Sequence, residues 1–525
     1  EFINKVQERA VGQDILTTKS RLVPGSGRVG LSYKPFDGML VLAADGEFYR
    51  SGTSHAHLGL EANLVKGLSV RAGLDRGRPT AGVSLDLMAF SLDYALLMPS
   101  GSNAIQRFEA GFKFLPGKER PFSLVKPKEF ALIDIGGNIK AGETQLSFFG
   151  GVQPGLDSIL ENIRAAGKDR AIDGIFLRIR GFSGGLGGSA MVQEMRSELQ
   201  RARTKGKKII AYVEGSAIGD EYYLASVADK IIAAPGSGIG GFGKSIEVYR
   251  MAGLFDKFGI SWEVLSKGKY KTVFDWLSPK MSRAQREMTE GLVADTYRQM
   301  LTDISASRGM QIEKVKEIGD GMIFPAKLAQ KMGLIDKVGY FRDASASASL
   351  LFNSSDEVKI IEPKLLESED SFFAQVFGVA VIEVNGEIVS GSGGQNFLFG
   401  GGAVGADTVV ANIRKAAEDM FVKAIVLRID SPGGSSVAAG EIYRALQYAK
   451  EKKKVVIASM GSIAASGGYY IAAAADKIVA DPATITGSIG VIGYFPVFEQ
   501  LLKKFGVEAD VVKEGSHSDM FSGLR

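Results

Sequence analysis

The chain has 525 residues, 45% of them hydrophobic and 23% charged, and 63 Lys and Arg against 59 Asp and Glu leave a formal charge of +4. That length exceeds one ordinary core and predicts about three or four domains, while the small charge, with no basic run interleaved with aromatics, argues against nucleic acid as a partner. The absence of cysteine excludes thiolate zinc sites, cysteine nucleophiles and disulfides, and the three histidines (His55, His57 and His517) form no HExxH pair.

Along the chain, residues 56–114 change character at every second position. Leu58, Leu60, Ala62 and Leu64 alternate with His57, Gly59, Glu61 and Asn63, and Leu68, Val70, Ala72 and Leu74 alternate with Ser69, Arg71, Gly73 and Asp75. Period two predicts strands. Val83, Leu85 and Leu87 continue the series, as do Phe90, Leu92, Tyr94 and Leu96, with turn signals at Lys66-Gly67, "RGRPT" and "PSGSN". A soluble antiparallel sandwich and a membrane barrel both alternate, but the predicted length of about eight to ten residues favours barrel strands. "RFEAGFKF" puts Phe108, Ala110, Phe112 and Phe114 on one face opposite Glu109, Gly111 and Lys113, and resembles the aromatic-ended last strand of outer-membrane barrels. "VGLSYKPFDGMLVLAADGEF" resembles a hairpin of such proteins. About six or seven strands are predicted against the minimum of about eight for a single-chain barrel, so further strands are expected upstream of residue 1. No apolar run reaches the ~18 residues of a transmembrane helix. The opening Glu-Phe, without a signal-peptide pattern, gives the same expectation of a start further upstream.

From about residue 128 strands and helices alternate, and the series occurs twice. "FALIDIGGNI" (130–139) matches "VAVIEVNGEI" (379–388), "IFLRIRGFSGG" (175–185) matches "IVLRIDSPGG" (425–434), "KKIIAYVEGS" (207–216) matches "KKVVIASMGS" (453–462), and "ADKIIAAPGSGIGGFG" (228–243) matches "ADKIVADPATITGSIG" (475–490). Equal order and similar spacing predict a duplicated α/β domain with a largely buried sheet. The first copy continues through a helical stretch, "SRAQREMTEGLVADTYRQMLTDISASRG", and "MGLIDKVGY"; the second stops at Arg525, so roughly 70 residues of it are expected to be missing.

One stretch of the second copy, "GSIAASGGYY" (461–470), predicts a strand turning sharply into a helix with Ser466 at the corner. Its counterpart in the first copy is "GSAIGDEYY", with Gly219 at that position. Alone, Ser466 reads as a helix cap. As a nucleophile it needs a base, and with histidine so scarce that base would be a lysine whose pKa is lowered by burial.

"DSPGGS" (430–435), "GSIAASGGYYIA" (461–472), "TGSIGV" (486–491) and "GKYKT" (268–272) together resemble the signal peptide peptidase A family of Ser/Lys peptidases in its duplicated, long form, over residues 128–525. The resemblance implies two tandem Clp/crotonase-like domains of ββα units, an α/β fold, with Ser466 as nucleophile and Lys271 as general base. It further implies Gly434 and Gly467 as oxyanion donors, the latter at a helix start, and Ser488 as the hydroxyl that orients the lysine. Aligning the copies puts Ser518 opposite Lys271, so the first copy has the lysine without the serine and the second has the reverse. The plain alternatives are a solvated loop for Lys271, which lies beside Lys267 and Lys269, and a turn glycine for Gly434.

The resulting organisation is an antiparallel, barrel-like β segment at 1–115, a linker at 116–128, a first peptidase-like repeat at 129–350, a linker at 351–376 and a second, truncated repeat at 377–525. The resemblance implies an endopeptidase acting on signal peptides or other extended apolar peptides, without a cofactor or metal, forming a homo-oligomer. A barrel before the linker would hold it in the bacterial cell envelope, on the periplasmic side of an outer membrane. Two other readings stand beside it: a non-hydrolytic outer-membrane scaffold, and acyl-CoA chemistry on the crotonase side of the fold.

Overall fold

A computed structural model describes residues 6–13, 26–34, 40–49, 53–65, 68–87, 90–98, 105–112, 128–147, 151–169, 171–185, 187–271, 276–351, 358–361, 378–395, 402–520 and 522–524. The chain divides into two compact units, Glu1–Lys126 with Glu367–Gly378, and Pro127–Leu366 with Val379–Arg525.

The first unit is an eight-stranded sheet: β1 (Val6–Gln13), β2 (Ser26–Tyr33), β3 (Leu40–Tyr49), β4 (Ser54–Val65), β5 (Leu68–Asp75), β6 (Arg78–Leu87), β7 (Phe90–Leu97) and β8 (Ile105–Phe112). Each strand pairs antiparallel with the next, in chain order. The count is eight rather than the six or seven predicted, because "VQERAVGQ" of β1 mixes polar and apolar residues without alternation. Lys113, Phe114, Lys66-Gly67 and "PSGSN" lie outside the described residues. The "RGRPT" turn is a two-residue hairpin at Arg76 (φ 54°) and Gly77 (φ 76°), whose left-handed torsions match the twist of the paired strands.

Register aligns the apolar positions into rows across the strands: Val70 faces Val83, Val83 faces Tyr94, and Tyr94 faces Phe108. These rows are exposed, Phe108 at 69%. The opposite rows are ion-paired. Arg71 Nε lies 2.6 Å from Glu61, Arg76 Nη2 lies 3.2 Å from Glu47, and His57 Nδ1 lies 2.5 Å from Asp75, with the His57 and Glu47 side chains only 12% and 13% exposed. The sheet thus has an exposed apolar face and an ion-paired one, on which His57 and Glu47 are the sheltered members and Arg71, Arg76 and Asp75 are half exposed.

The second unit contains two sheets of the same plan. In the first, β9 (Glu129–Asn138), β10 (Gly174–Ser183), β11 (Lys208–Val213) and β12 (Lys230–Ala233) lie parallel in the order β12-β11-β10-β9. Short strands at Lys337–Val338 and Lys359–Ile361 flank them. The second of these falls inside the predicted 351–376 linker, part of which is therefore sheet edge. Helices α1 (Leu156–Lys168), α2 (Gly188–Thr204) and α3 (Asp220–Ala225) connect the strands. The second sheet runs β17-β16-β15-β14, comprising β14 (Gly378–Asn385), β15 (Val422–Ser431), β16 (Val455–Ala465) and β17 (Lys477–Ala480), with α4 (Ala406–Glu418), α5 (Ser436–Glu451) and α6 (Gly467–Ala472). In the first sheet apolar strands bury residues on both faces, with Ile175, Phe176 and Leu177 all fully buried; in the second, Ile425 and Leu427 bury one face while Val426 on the other stays half-buried.

An antiparallel ladder links the two copies. β18 (Ser261–Lys267) of the first pairs with β19 (Val491–Val497) of the second, from Ser261 opposite Val497 to Lys267 opposite Val491. Phe255, Trp262 and Trp276 cluster against β18 with ring centroids 5.6–5.9 Å apart and brace the arm that ends at Lys271.

Candidate active site

The corner after β16 is built from backbone first. Ser466 has φ 54° and ψ −116°, a conformation that favours glycine, and Gly219 in the first copy has φ 59° and ψ −113°. Ser466 N–H donates to Gly487 O at 2.9 Å and Gly219 N–H donates to Gly240 O at 2.8 Å, so both copies fold the same elbow. A side chain is strained there, and only the second copy carries one.

Lys271 reaches this corner across the ladder. Its Nζ lies 2.7 Å from Ser466 Oγ, 2.8 Å from the Ser488 carbonyl oxygen and 3.3 Å from Ser488 Oγ. Burial holds its pKa below the ordinary lysine value. The neighbouring Lys269 is different: a hydrogen bond to Tyr270, 2.7 Å away, and the nearby Glu287 carboxylate raise its pKa, and it points into solvent. Of the two, the environment of Lys271 is the one that favours a neutral amine.

The glycines after β15 complete the corner. Gly433 has φ 103° and Gly434 φ 149°. A Cβ on Gly433 would stand 2.6 Å from Gly467 N and 2.7 Å from Ser466 Cβ, so this loop can lie against the serine only as glycine. A Cβ on Gly467 would stand 3.3 Å from Gly434 N, which places the Gly434 and Gly467 amides side by side beside Ser466. The structure thus brings together all five residues singled out in the sequence: Ser466, Lys271, Gly434, Gly467 and Ser488.

Two further glycines went unremarked in the sequence. A Cβ on Gly490 (φ 146°) would meet Lys267 O at 2.2 Å and Lys271 Cδ at 3.4 Å, and one on Gly268 (φ 119°) would meet Ile489 O at 2.9 Å. They let the two copies close on the lysine. Both belong to quoted motifs, "TGSIGV" and "GKYKT", but the motifs do not record the missing Cβ that matters.

The first copy's elbow is occupied differently. Asp220 follows Gly219, and Lys244 Nζ lies 2.7 Å from Asp220 Oδ1 and 3.0 Å from Ser189 Oγ. Ser518, opposite Lys271 in the repeat, sits in an exposed turn whose N–H donates to Gly515 O, as Lys271 N–H does to Gly268 O. The backbone of both halves is preserved, and the reactive side chains are divided between them.

Comparison with known proteins agrees with this geometry. The model for Peptidase family S49 matches residues 201–354 and 448–525, and that for Clp protease matches residues 403–484. The chain is 32% identical over 381 residues to Protease 4 of Salmonella typhi and 30% over 383 residues to Protease 4 of Haemophilus influenzae, covering 70% and 69% of this chain and 59% and 60% of those proteins. It is 28% identical over 372 residues to Serine protease SPPA, chloroplastic, of Arabidopsis thaliana, 70% of this chain and 54% of that one. The chain thus spans less than two thirds of the length of these relatives. With four ordered motifs and the paired lysine and serine within the matched segments, the chain is similar to peptidase family S49 in both of its copies.

Proposed function

We propose that this chain is a serine endopeptidase with a Ser466/Lys271 dyad shared between its two copies. The observation that carries this reading is the 2.7 Å separation of Lys271 Nζ and Ser466 Oγ, with burial favouring the neutral amine. Neutral Lys271 takes the Ser466 proton as Oγ bonds to the peptide carbonyl carbon, and the developing oxyanion accepts from the Gly434 and Gly467 N–H groups. The resulting ammonium returns a proton to the leaving amine as the C–N bond breaks. Lys271 then deprotonates a water, which hydrolyses the acyl-serine and frees Ser466. The substrates proposed are extended apolar peptides, cleaved signal peptides among them.

The exposed apolar rows of the N-terminal sheet support a membrane setting, with hydrocarbon on one face and an ion-paired interior on the other. The whole would then act in a bacterial envelope, as an outer-membrane-tethered, periplasm-facing homo-oligomer.

Ser466→Ala and Lys271→Ala are each expected to lower peptide hydrolysis by at least about 10³-fold with unchanged circular dichroism. A fluorophosphonate probe should label wild type at Ser466, identified by peptide mass. Undiminished hydrolysis by either variant sinks the dyad, and absence of labelling with no hydrolysis favours a scaffold.

A further inference from the structure

Between the two copies lies a cavity of about 740 Å³, within the range of small-ligand sites. Its charged lining is Glu143, Glu383 and Asp430 against a single cation, Lys140. Arg428, whose charge acts on both Glu383 and Asp430, is held 2.6 Å from Glu194. Desolvation and the neighbouring Asp157 and Glu143 carboxylates push Glu383 above the usual carboxylate range, and burial does the same to Asp430. The walls also hold Asn385 Oδ1, a polar atom without a hydrogen bond, while Ser462, only 1% exposed, stands against Asp430 and donates its backbone N–H to that carboxylate at 3.0 Å. The first copy closes over them without a side chain, since a Cβ on Gly142 would stand 3.0 Å from Asn385 Nδ2 and 3.3 Å from Glu383 Oε2.

This is excess negative charge around open space, next to one unused acceptor, Asn385 Oδ1. A space of about 740 Å³ suits an organic cation, which is larger than a metal ion. Pro432 in the cavity wall runs directly into Gly433 and Gly434, which puts the cavity beside the proposed oxyanion loop.

We propose that this cavity is a second binding site that receives an ammonium group of a bound peptide, so that apolar peptides with an adjacent positive charge are preferred over neutral ones. The inference rests on the peptidase reading for its substrate. The source of the ammonium is either a free amino terminus or a lysine side chain.

Binding to the Ser466→Ala protein separates this idea from catalysis. The probes are a fluorescent leucine-rich peptide with lysine near its amino end, the same peptide N-acetylated, the same with norleucine for lysine, and one with both changes. At low salt the lysine peptide should bind about tenfold more tightly than the doubly neutral one. Loss of that margin on acetylation or on norleucine substitution identifies the source. Adding Glu383→Gln, or Glu143→Gln should the first fold poorly, is expected to shrink the margin toward one. Equal affinity for charged and neutral peptides, or a margin unmoved by a folded variant, overturns the proposal. Charge-selective binding by Ser466→Ala alongside a wild type that cleaves none of the peptides would sink the peptidase reading and leave this site standing.

Discussion

A neutral primary amine has two N–H bonds and one lone pair, and Lys271 Nζ faces three oxygens. Donation to the Ser488 carbonyl at 2.8 Å and to Ser488 Oγ at 3.3 Å directs the lone pair toward Ser466 Oγ at 2.7 Å. In the proposed dyad the active form is the deprotonated one, and burial lowers the pH at which it forms. Hydrolysis should rise as pH rises through the depressed lysine pKa and then level off; Lys271→Arg, which cannot deprotonate, should stay inactive throughout. A rate that falls over that rise contradicts a lysine base. The serine carries a different signature. Held at φ 54° in a backbone suited to glycine, it is strained by about 1–3 kcal/mol. Ser466→Gly should thus be inactive yet unfold at higher denaturant than Ser466→Ala, which keeps the Cβ; equal midpoints would argue against strain. Ser466 and Lys271 were singled out because their motifs resemble the signal peptide peptidase A family, with the duplication setting each beside a copy that lacks it, and the structure brings the two side chains together. Gly268 and Gly490 were not, because their role is to leave room, and no pattern of residue types records an absent Cβ.

At the scale of elements, one ladder decides whether the lysine and serine meet. β18 and β19 belong to different copies, and Gly490 lies where β19 begins, against Lys267 O and Lys271 Cδ. Gly490→Ala brings a Cβ to 2.2 Å from a carbonyl oxygen at a φ that L residues avoid, so the chain must shift where the lysine rests. Hydrolysis is expected to fall by about 10²-fold, since small displacements of a catalytic group cost rates of that order, while Gly291→Ala, at an open position on the Arg283–Arg308 helix, should matter little. Equal activity in the two would show that the ladder tolerates movement there. The strands themselves were readable, as alternation in the first unit and as continuous apolar runs in the second. What sequence could not give was β1, whose polar residues hide its period, and Lys359–Ile361, three residues that join a sheet edge from within a predicted linker. The β18–β19 pairing was equally hidden, because it joins segments more than two hundred residues apart and each half has a counterpart in its own copy.

Those counterparts bear on the whole molecule. If β18 of the first copy pairs with β19 of the second, the repeat leaves residues 508–514 of the second copy and 244–250 of the first as an unmatched pair of the same kind. Neither segment forms a strand in this chain, and Val512 and Tyr249 are 98% and 75% exposed. Transferring the observed register, Ser261 opposite Val497 and Lys267 opposite Val491, puts Glu508 opposite Arg250 and Glu514 opposite Lys244. Both end pairs are of opposite charge, as cross-strand neighbours favour, but Lys244 is already held by Asp220, which leaves Glu508 and Arg250 as the pair to test. Such a contact is head-to-tail, so one chain's 508–514 would add to the next chain's 244–250 and the assembly would grow until it closes. Sedimentation of the full chain should show association beyond a monomer, weakened by Glu508→Arg or by Arg250→Glu alone and recovered when both are present. A monomer at all concentrations, or two single variants whose defects add instead of cancelling, would mean that the exposed segments are not partners.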